Sequence, residues 1–426
     1  SLSYGRIVIR PLEKLHGLVP DSFETYQIVN PGDIVIRTTD LQNDHTSLRV
    51  GMVRDRGIIT SAYLALRLTS AVSPGFGFQI LNVWDTSKAI YGYGSGLRQN
   101  LDFSHFKRMP VALPSPAEQA AIVRFLDWAN GRLERTIRAK RKVIALLNEQ
   151  KQAIVHRVVT RGLDPTVTFK PSGIPWLGDI PQHWEVRPLK TVCKIQSGIT
   201  LGKDYTGHQI HEFPYLRVAN VQAGYVNLSV VKSIRVPTVE AQRCTLEKGD
   251  VLMTEGGDPD KLGRGCVWEA QVAPCLHQNH IFAVRPDHLR LEPQFLAALM
   301  GTSYARVYFQ STAKQTTNLA ATNKTKIGQL KVLLPTKDEQ NKILVSLNEE
   351  TRPVTTAISR LEREIELLRE YRTRLVADVV TGKLDVREAT EGLPDLNDDS
   401  ASGGTPDEFA GAEELEEASG REEAQA

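Results

Sequence analysis

Two stretches of the chain carry the same long-period alternation of apolar and polar positions. In residues 116–160, Leu126, Leu133, Leu147 and Ile154 keep a seven-residue spacing, and Ile137, Ile144 and Val158 form an interleaved row. In residues 337–381 the two rows are Leu347, Val354, Leu361, Leu368 and Leu375, with Ile358, Ile365 and Val379 between them. A 3-4 spacing held over this length is the seam of a coiled coil. The first stretch has one glycine and no proline after Pro116, and its Arg and Lys fall at non-seam positions. It therefore predicts a solvent-facing amphipathic helix about 65 Å long. A lone helix of that kind would expose its seam, so the two stretches are expected to pack on each other. Pro116 suits a first helical turn, Gly162 and Gly382 suit helix ends, and Pro353 predicts a kink or break in the second helix.

The helices belong to a larger repeat. Leu113, Pro114, Glu118, Gln119 and Ile122 recur as Leu334, Pro335, Glu339, Gln340 and Ile343, an offset of 221 positions. Val158, Val159, Thr160, Leu163 and Asp164 return at the same offset as Val379, Val380, Thr381, Leu384 and Asp385. Repetition at one period marks a duplicated module. Residues 1–114 mix short β-like runs, such as Asp33–Arg37 and Tyr63–Leu68, with turn residues and form a first globular module. A linker and helix follow in 115–170, a second module in 171–335, a second helix in 336–388 and a tail in 389–426.

The modules share a weaker likeness. Pro31-Gly-Asp-Ile-Val35 parallels Lys248-Gly-Asp-Val-Leu252, and Gly51-Met-Val53 parallels Gly265-Cys-Val267, at offsets of 217 and 214. At such offsets a counterpart of Gly173–Trp184 would fall roughly 44 residues before Ser1. The first module is thus expected to be truncated at its amino-terminal side, or divergent there.

Composition narrows the class. The chain has 426 residues and 41% hydrophobic content, enough for two or three cores. It contains no run of about 18 apolar residues, and SLSYGRIVIR is not a signal peptide, so a soluble, cytoplasmic protein is expected. Cys193, Cys244, Cys266 and Cys275 have no CxxC spacing and read as reduced thiols. The net charge of +2 conceals an asymmetry: residues 389–426 hold twelve acidic groups against Arg421, a net of −11, which leaves +13 on residues 1–388. The acidic tail, poor in aromatics, is expected to be disordered. A basic body suits a polyanionic partner.

Ile174-Pro-Trp-Leu-Gly-Asp-Ile-Pro-Gln-His-Trp184, the two Leu-Pro-x-x-x-Glu-Gln-x-x-Ile entries to the helices, and the repeat of module plus helix together carry a resemblance. Over nearly all of residues 1–388 the chain resembles the DNA-specificity subunit of type I restriction-modification systems. The resemblance implies an α+β fold with two similar globular target recognition domains, separated by two long helices that form an antiparallel coiled coil. Each domain would read one half of a bipartite, asymmetric site on double-stranded DNA. The subunit would be non-catalytic and would bind no cofactor. It would dock two methyltransferase subunits and, through them, restriction and translocase subunits. S-adenosylmethionine, ATP and magnesium would belong to those partners, and no membrane is involved. The short first module and the acidic tail depart from the family pattern.

Reading bases takes donors and acceptors that reach groove edges, and two loops lie at matching places in the two modules. The first pair sets Arg37, Gln42, Asn43, Arg49, Arg54 and Arg56 against Lys261 and Arg264. The second sets Tyr91, Tyr93, Arg98, Gln99 and Asn100 against Lys314, Gln315, Thr316, Thr317 and Asn318. Arg suits guanine edges, Gln and Asn adenine edges, and Lys or Thr phosphates. Surface Arg and Lys are more often solvated charges, so only part of this set is expected on DNA. Trp176 and Trp184, flanked by prolines and apolar residues, read as packing residues, and Glu118, Gln119, Glu339 and Gln340 as supports of the helix starts.

Searches for catalytic chemistry end without a site. Gly198–Asp204 is one residue short of a phosphate loop and lacks the Ser or Thr after Lys203 that would bind magnesium; Lys203 remains a candidate DNA contact. Gly256–Asp260 reads as a turn. Cys275, His277 and His280 lack an evident fourth partner for zinc, so no metal is expected. Two rival readings stay open. One is an assembly scaffold that binds no nucleic acid, and the other a specificity subunit of a different methyltransferase or phage-defence class.

Overall fold

A computed structural model describes residues 2–3, 5–9, 23–39, 41, 48–93, 100–101, 103–107, 109–174, 176–257, 263, 265–315 and 320–394. The fold is α+β, with two long helices at Pro116–Arg161 and Lys337–Val380. The chain forms two compact units. Residues 1–142 and 361–404 make the first, 143–360 and 405–426 the second, so each unit holds part of both long helices. The acidic tail from residue 395 lies outside the described residues.

Within each unit the helix segments run antiparallel. In the first unit Lys140 pairs with Glu364 at 2.6 Å and Glu134 pairs with Arg372; in the second, Arg157 pairs with Glu350 at 2.5 Å. As the number on one helix rises, that on the other falls. Among the seam residues Leu126, Ile137, Val354, Ile358, Ile365 and Leu375 are buried. Leu133, Ile144, Leu147, Ile154, Leu347, Leu361 and Leu368 are half-buried. Each side chain withdrawn from water in this way contributes up to about 1.5–3 kcal/mol. The second helix runs unbroken through Pro353, so the chain makes no break there. Proline removes one backbone donor, and the remaining ladder and the seam residues Val354 and Ile358 keep the segment helical.

Both units are built on one strand motif. In the first, the central strand Ile34–Arg37 lies between Val50–Met52 and Tyr63–Leu66, antiparallel to both. In the second, Val251–Thr254 lies between Gly265–Val267 and Ile281–Pro286, again antiparallel, and Cys193–Ser197 extends the sheet. The sequence likeness is the turn into the central strand. Gly32 and Gly249 both adopt positive φ, +90° and +92°, which glycine tolerates at no steric cost. The next residue is a buried aspartate in both. Asp33 accepts two hydrogen bonds from Arg67 and one from the Asn30 amide, and Asp250 accepts two from Arg285 and one from the Glu247 amide.

A second repeated device joins each module to its helix. Gln119 is buried; its Oε1 accepts from the Ser73 amide at 2.8 Å, and its Nε2 donates to the carbonyls of Ala71 and Pro114. Gln340 does the same with the Glu292 amide and the carbonyls of Arg290 and Pro335. Ser73 and Glu292 are the residues before helices Pro74–Thr86 and Pro293–Met300. These glutamines are therefore clamps between module and helix, rather than the simple supports of the helix start that their position predicts. Glu118 keeps the simpler role, accepting from the Ser115 amide at 3.0 Å. Glu339 instead binds the indole of Trp184 and the imidazole of His183, both at 2.9 Å. Trp184 is fully buried, whereas Trp176, expected to pack, is 43% exposed.

Candidate nucleic-acid interface

The central strand of each unit delivers the chain into the first candidate loop, and the second loop returns to the same corner. In the first unit the Leu101 amide donates to the Thr38 carbonyl at 2.9 Å. In the second the Thr322 amide donates to the Glu255 carbonyl at 2.8 Å. Residues 38 and 255 follow the central strands; 101 and 322 close the second loops. Equivalent backbone bonds thus root two loops together in each unit. The second unit adds a small sheet in which Gly256–Gly257 and Lys314–Gln315 both pair with Ala320–Ala321. The expected turn at Gly256–Asp260 accordingly begins as a strand, because the paired backbone there is satisfied by its neighbour.

The individual candidates separate by environment. Asn100 is exposed next to the bond that closes the corner of the first unit, Tyr93 is exposed, and Arg37 is half-buried at the end of its strand. Arg54 and Arg56 are a correction: both are exposed, but they follow Val53, which bonds to Asp33 at the opposite end of the central strand, so they do not share the corner with Thr38 and Leu101. Arg49 is a correction. It is fully buried, with Nη1 donating to the Thr39 carbonyl at 2.7 Å and to the Arg37 carbonyl, and Nε donating to the Tyr91 hydroxyl at 3.1 Å. Its guanidinium is consumed in holding the loop's own backbone, which removes it from the base-reading set. Tyr91 is half-buried and lies under both Arg49 and Lys88, its ring 5.6 Å and 4.8 Å from their charged groups. It is part of the same support.

In the second unit Lys314 is exposed and Gln315 stands beside it on the strand. Lys203 is exposed on a separate loop and pairs with Glu240 at 3.1 Å. Gln42, Asn43, Arg98, Gln99, Lys261, Arg264, Thr316, Thr317 and Asn318 lie outside the described residues. His280, which sequence reasoning assigned no role, sits at this corner: it is exposed, bonded through Nδ1 to Glu255 at 2.6 Å, and its carbonyl accepts from the Glu255 amide. No sequence signal marked it, because only the pairing of strand Val251–Thr254 with strand Ile281–Pro286 brings residues 255 and 280 together.

Burial pushes the Cys193 and Cys266 thiols up to about 12 and Cys275 to about 11, so none forms a thiolate near neutrality. His277 is buried with Nδ1 against the Ile281 carbonyl, and Cys275 Sγ turns to the Leu276 carbonyl, so these two side chains do not converge with His280. Among the described residues no cluster of three His, Cys, Asp or Glu is placed to hold a metal, and no helix is long and apolar enough to cross a membrane. What the arrangement offers is paired, polar, cation-bearing loops on a rigid base, which suits recognition of an anionic polymer.

Comparison with known proteins agrees with this geometry. Residues 181–367 match the type I restriction modification DNA specificity domain. The putative type I restriction enzyme MjaX specificity subunit of Methanocaldococcus jannaschii is 25% identical over 208 residues, 48% of this chain and 47% of that protein. The type I restriction enzyme MjaVIII specificity subunit of the same organism is 23% identical over 369 residues, 84% of this chain and 81% of the relative. The chain thus spans about half the length of the first relative and four fifths of the second. A solved structure described as the structural basis of complex assembly and conformational transition of the type I R-M system shares the fold, with a TM-score of 0.55, 17% identity and 85% coverage of both chains. Over residues 181–367 the chain is thus similar to the type I restriction modification DNA specificity domain, and over most of its length to type I restriction enzyme specificity subunits.

Proposed function

We propose that this chain reads a bipartite, asymmetric site on double-stranded DNA, one half-site per unit, and delivers methyltransferase subunits to it. The observation that carries the reading is the pair of equivalent backbone bonds, Thr38 to Leu101 and Glu255 to Thr322, which root two loops at the same place in two duplicated frames. Two similar heads with differing loops suit two different half-sites. The antiparallel helices act as the ruler between the half-sites. Methyl transfer, with its S-adenosylmethionine, and ATP- and magnesium-dependent cleavage belong to partner subunits, with the restriction and translocase subunits attached through the methyltransferase.

The test is single-molecule methylome sequencing of a host expressing the chain with its neighbouring methyltransferase, against the methyltransferase alone. Adenine methylation at one bipartite motif only when the chain is present is the expected result. Replacing residues 174–335 by those of a relative should then change one half-site and leave the other. A swap that altered both, or no new motif at all, would overturn the reading and favour a scaffold without DNA contacts.

A further inference from the structure

Between strands Leu276–His277 and Ile281–Pro286 the second unit carries three consecutive polar residues, Gln278, Asn279 and His280. The two strands belong to different sheets. Leu276–His277 pairs with the end of Ile210–Leu216, whereas Ile281–Pro286 lies between Cys193–Ser197 and Val251–Thr254. The chain thus changes sheet within three residues, and the backbone of each is fixed. The Gln278 amide donates to the Leu216 carbonyl and the Asn279 amide to the Ile199 carbonyl, both at 3.0 Å, and the His280 carbonyl accepts from the Glu255 amide at 2.8 Å. The Ile281 amide closes the turn on the Gln278 carbonyl at 2.9 Å. Bonds to segments distant in sequence leave this turn little freedom.

The side chains are in the opposite condition. Neither the Gln278 nor the Asn279 amide group bonds to another group among the described residues, although an asparagine in a turn ordinarily ties itself to nearby backbone. The His280 side chain is 54% exposed, and its Nδ1 meets Glu255 at 2.6 Å. A carboxylate only accepts, so Nδ1 carries the hydrogen and Nε2 of the neutral ring is left as an acceptor. Polar groups held on a rigid base and not spent on the fold are what a recognition surface requires before its ligand arrives. The segments bonded to the turn bring cations. Ile199 leads into the loop of exposed Lys203, and Glu255 leads into the small sheet of exposed Lys314.

We propose that Gln278, Asn279 and His280 read bases of the second unit's half-site in the major groove, with Glu255 positioning the His280 ring, an assignment that rests on the half-site reading above. The bases are those that carry amino groups. The Gln278 and Asn279 amides each offer one donor and one acceptor, the pattern that matches adenine N7 and N6, and His280 Nε2 accepts from adenine N6 or cytosine N4. The flanking phosphates are left to Lys203 and Lys314.

The test uses the full chain assembled with its neighbouring methyltransferase, once methylome sequencing has given the wild-type motif. Fluorescence anisotropy compares a duplex carrying the motif with duplexes changed at one base pair at a time, and with a duplex lacking the motif. For Gln278→Ala or Asn279→Ala, discrimination at one A·T position of one half-site is expected to fall about ten-fold, with affinity for the motif-free duplex unchanged. His280→Ala and Glu255→Ala are expected to lose discrimination at one shared position, which a merely structural Glu255 would not produce. If Asn279→Ala also weakens binding to the motif-free duplex, its fold is altered and His280→Ala, which deletes an exposed ring, carries the test. Discrimination kept at every position by His280→Ala and Glu255→Ala, or lost in both half-sites together, would overturn the proposal alone. A wild-type chain that yields no motif would overturn the half-site reading and this proposal with it.

Discussion

Gln340→Met tests whether the glutamine clamp holds module to helix. Methionine matches glutamine in length and is an adequate helix former, so packing and propensity change little. What is lost is three hydrogen bonds at a fully buried site: the Glu292 amide and the carbonyls of Arg290 and Pro335 are left without their partner. At roughly 1 kcal/mol for each buried backbone group stranded, the cost is about 3 kcal/mol, or roughly a hundredfold in the local opening equilibrium. Hydrogen exchange under native conditions should show that loss in peptides covering residues 290–300 and 333–344. Gln119→Met should produce a loss of the same size around residues 71–77 and 114–123, because its three partners are equivalent. A change below tenfold at either site, or protection lost in the unit that was not mutated, would refute the reasoning.

The repeated Asp–Arg pair predicts an unequal response: Arg285→Met, which strands the fully buried Asp250, should cost about 3–5 kcal/mol by chemical denaturation, whereas Arg67→Met should cost less, since Arg67 is 67% exposed. Acid should weaken the second unit through His277, whose burial lowers its pKa from 6.5 to about 4. Between those values the unfolded chain binds a proton that the folded one does not, so stability falls as pH drops through that window, by up to about 1.4 kcal/mol per unit; His277→Gln should flatten that part of a denaturation-versus-pH profile. Gly198→Ala should destabilise the second unit by at least ~2 kcal/mol in the same assay, because a Cβ there collides with the carbonyls of His277 and Gln278. For the DNA interface, Lys314→Ala should weaken binding across sequences and make the slope of log affinity against log salt shallower by about 1, measured by fluorescence anisotropy.

The parts of the fold legible in the sequence were those written by periodicity and by repetition. The seam residues, Gly162 and Gly382 as helix ends, and the strand turns at Gly32 and Gly249 are local patterns, and each has a counterpart one repeat away. Pro353 does not break the helix, because a local rule about one missing donor says nothing of the tertiary packing that keeps the helix continuous through it. Other features depend on residues far apart in the chain. Nothing near Gln340 in sequence reveals Arg290 or Glu292, and nothing near Asp250 reveals Arg285. In the candidate site the matching offsets pointed to the chain positions 38, 101, 255 and 322 whose backbone bonds join the loop ends, and the environments of the single residues were not legible. Arg49 and Arg54 look alike in sequence, yet one is sealed beneath the loop and the other faces solvent.

That difference between Arg49 and its neighbours bears on how such a protein changes what it reads. The bonds that root the loops, Leu101 to Thr38 and Thr322 to Glu255, run from backbone to backbone and place no demand on side chains. The frame beneath them is side-chain specific: Asp33 with Arg67, Asp250 with Arg285, Gln119 and Gln340. Substitution of an exposed loop residue therefore leaves the frame energetically untouched, and surface changes of this kind usually fall within about 0.5 kcal/mol. Arg49 is the exception, because its guanidinium fixes the carbonyls of Arg37 and Thr39 from inside. Arg54 and Arg56 are exposed and lie at the other end of the central strand, whereas exchanging Arg49 moves the loop itself. Under the proposed function, the effect of an Arg49 exchange on recognition would be a matter of geometry, spread over the whole loop rather than confined to one base.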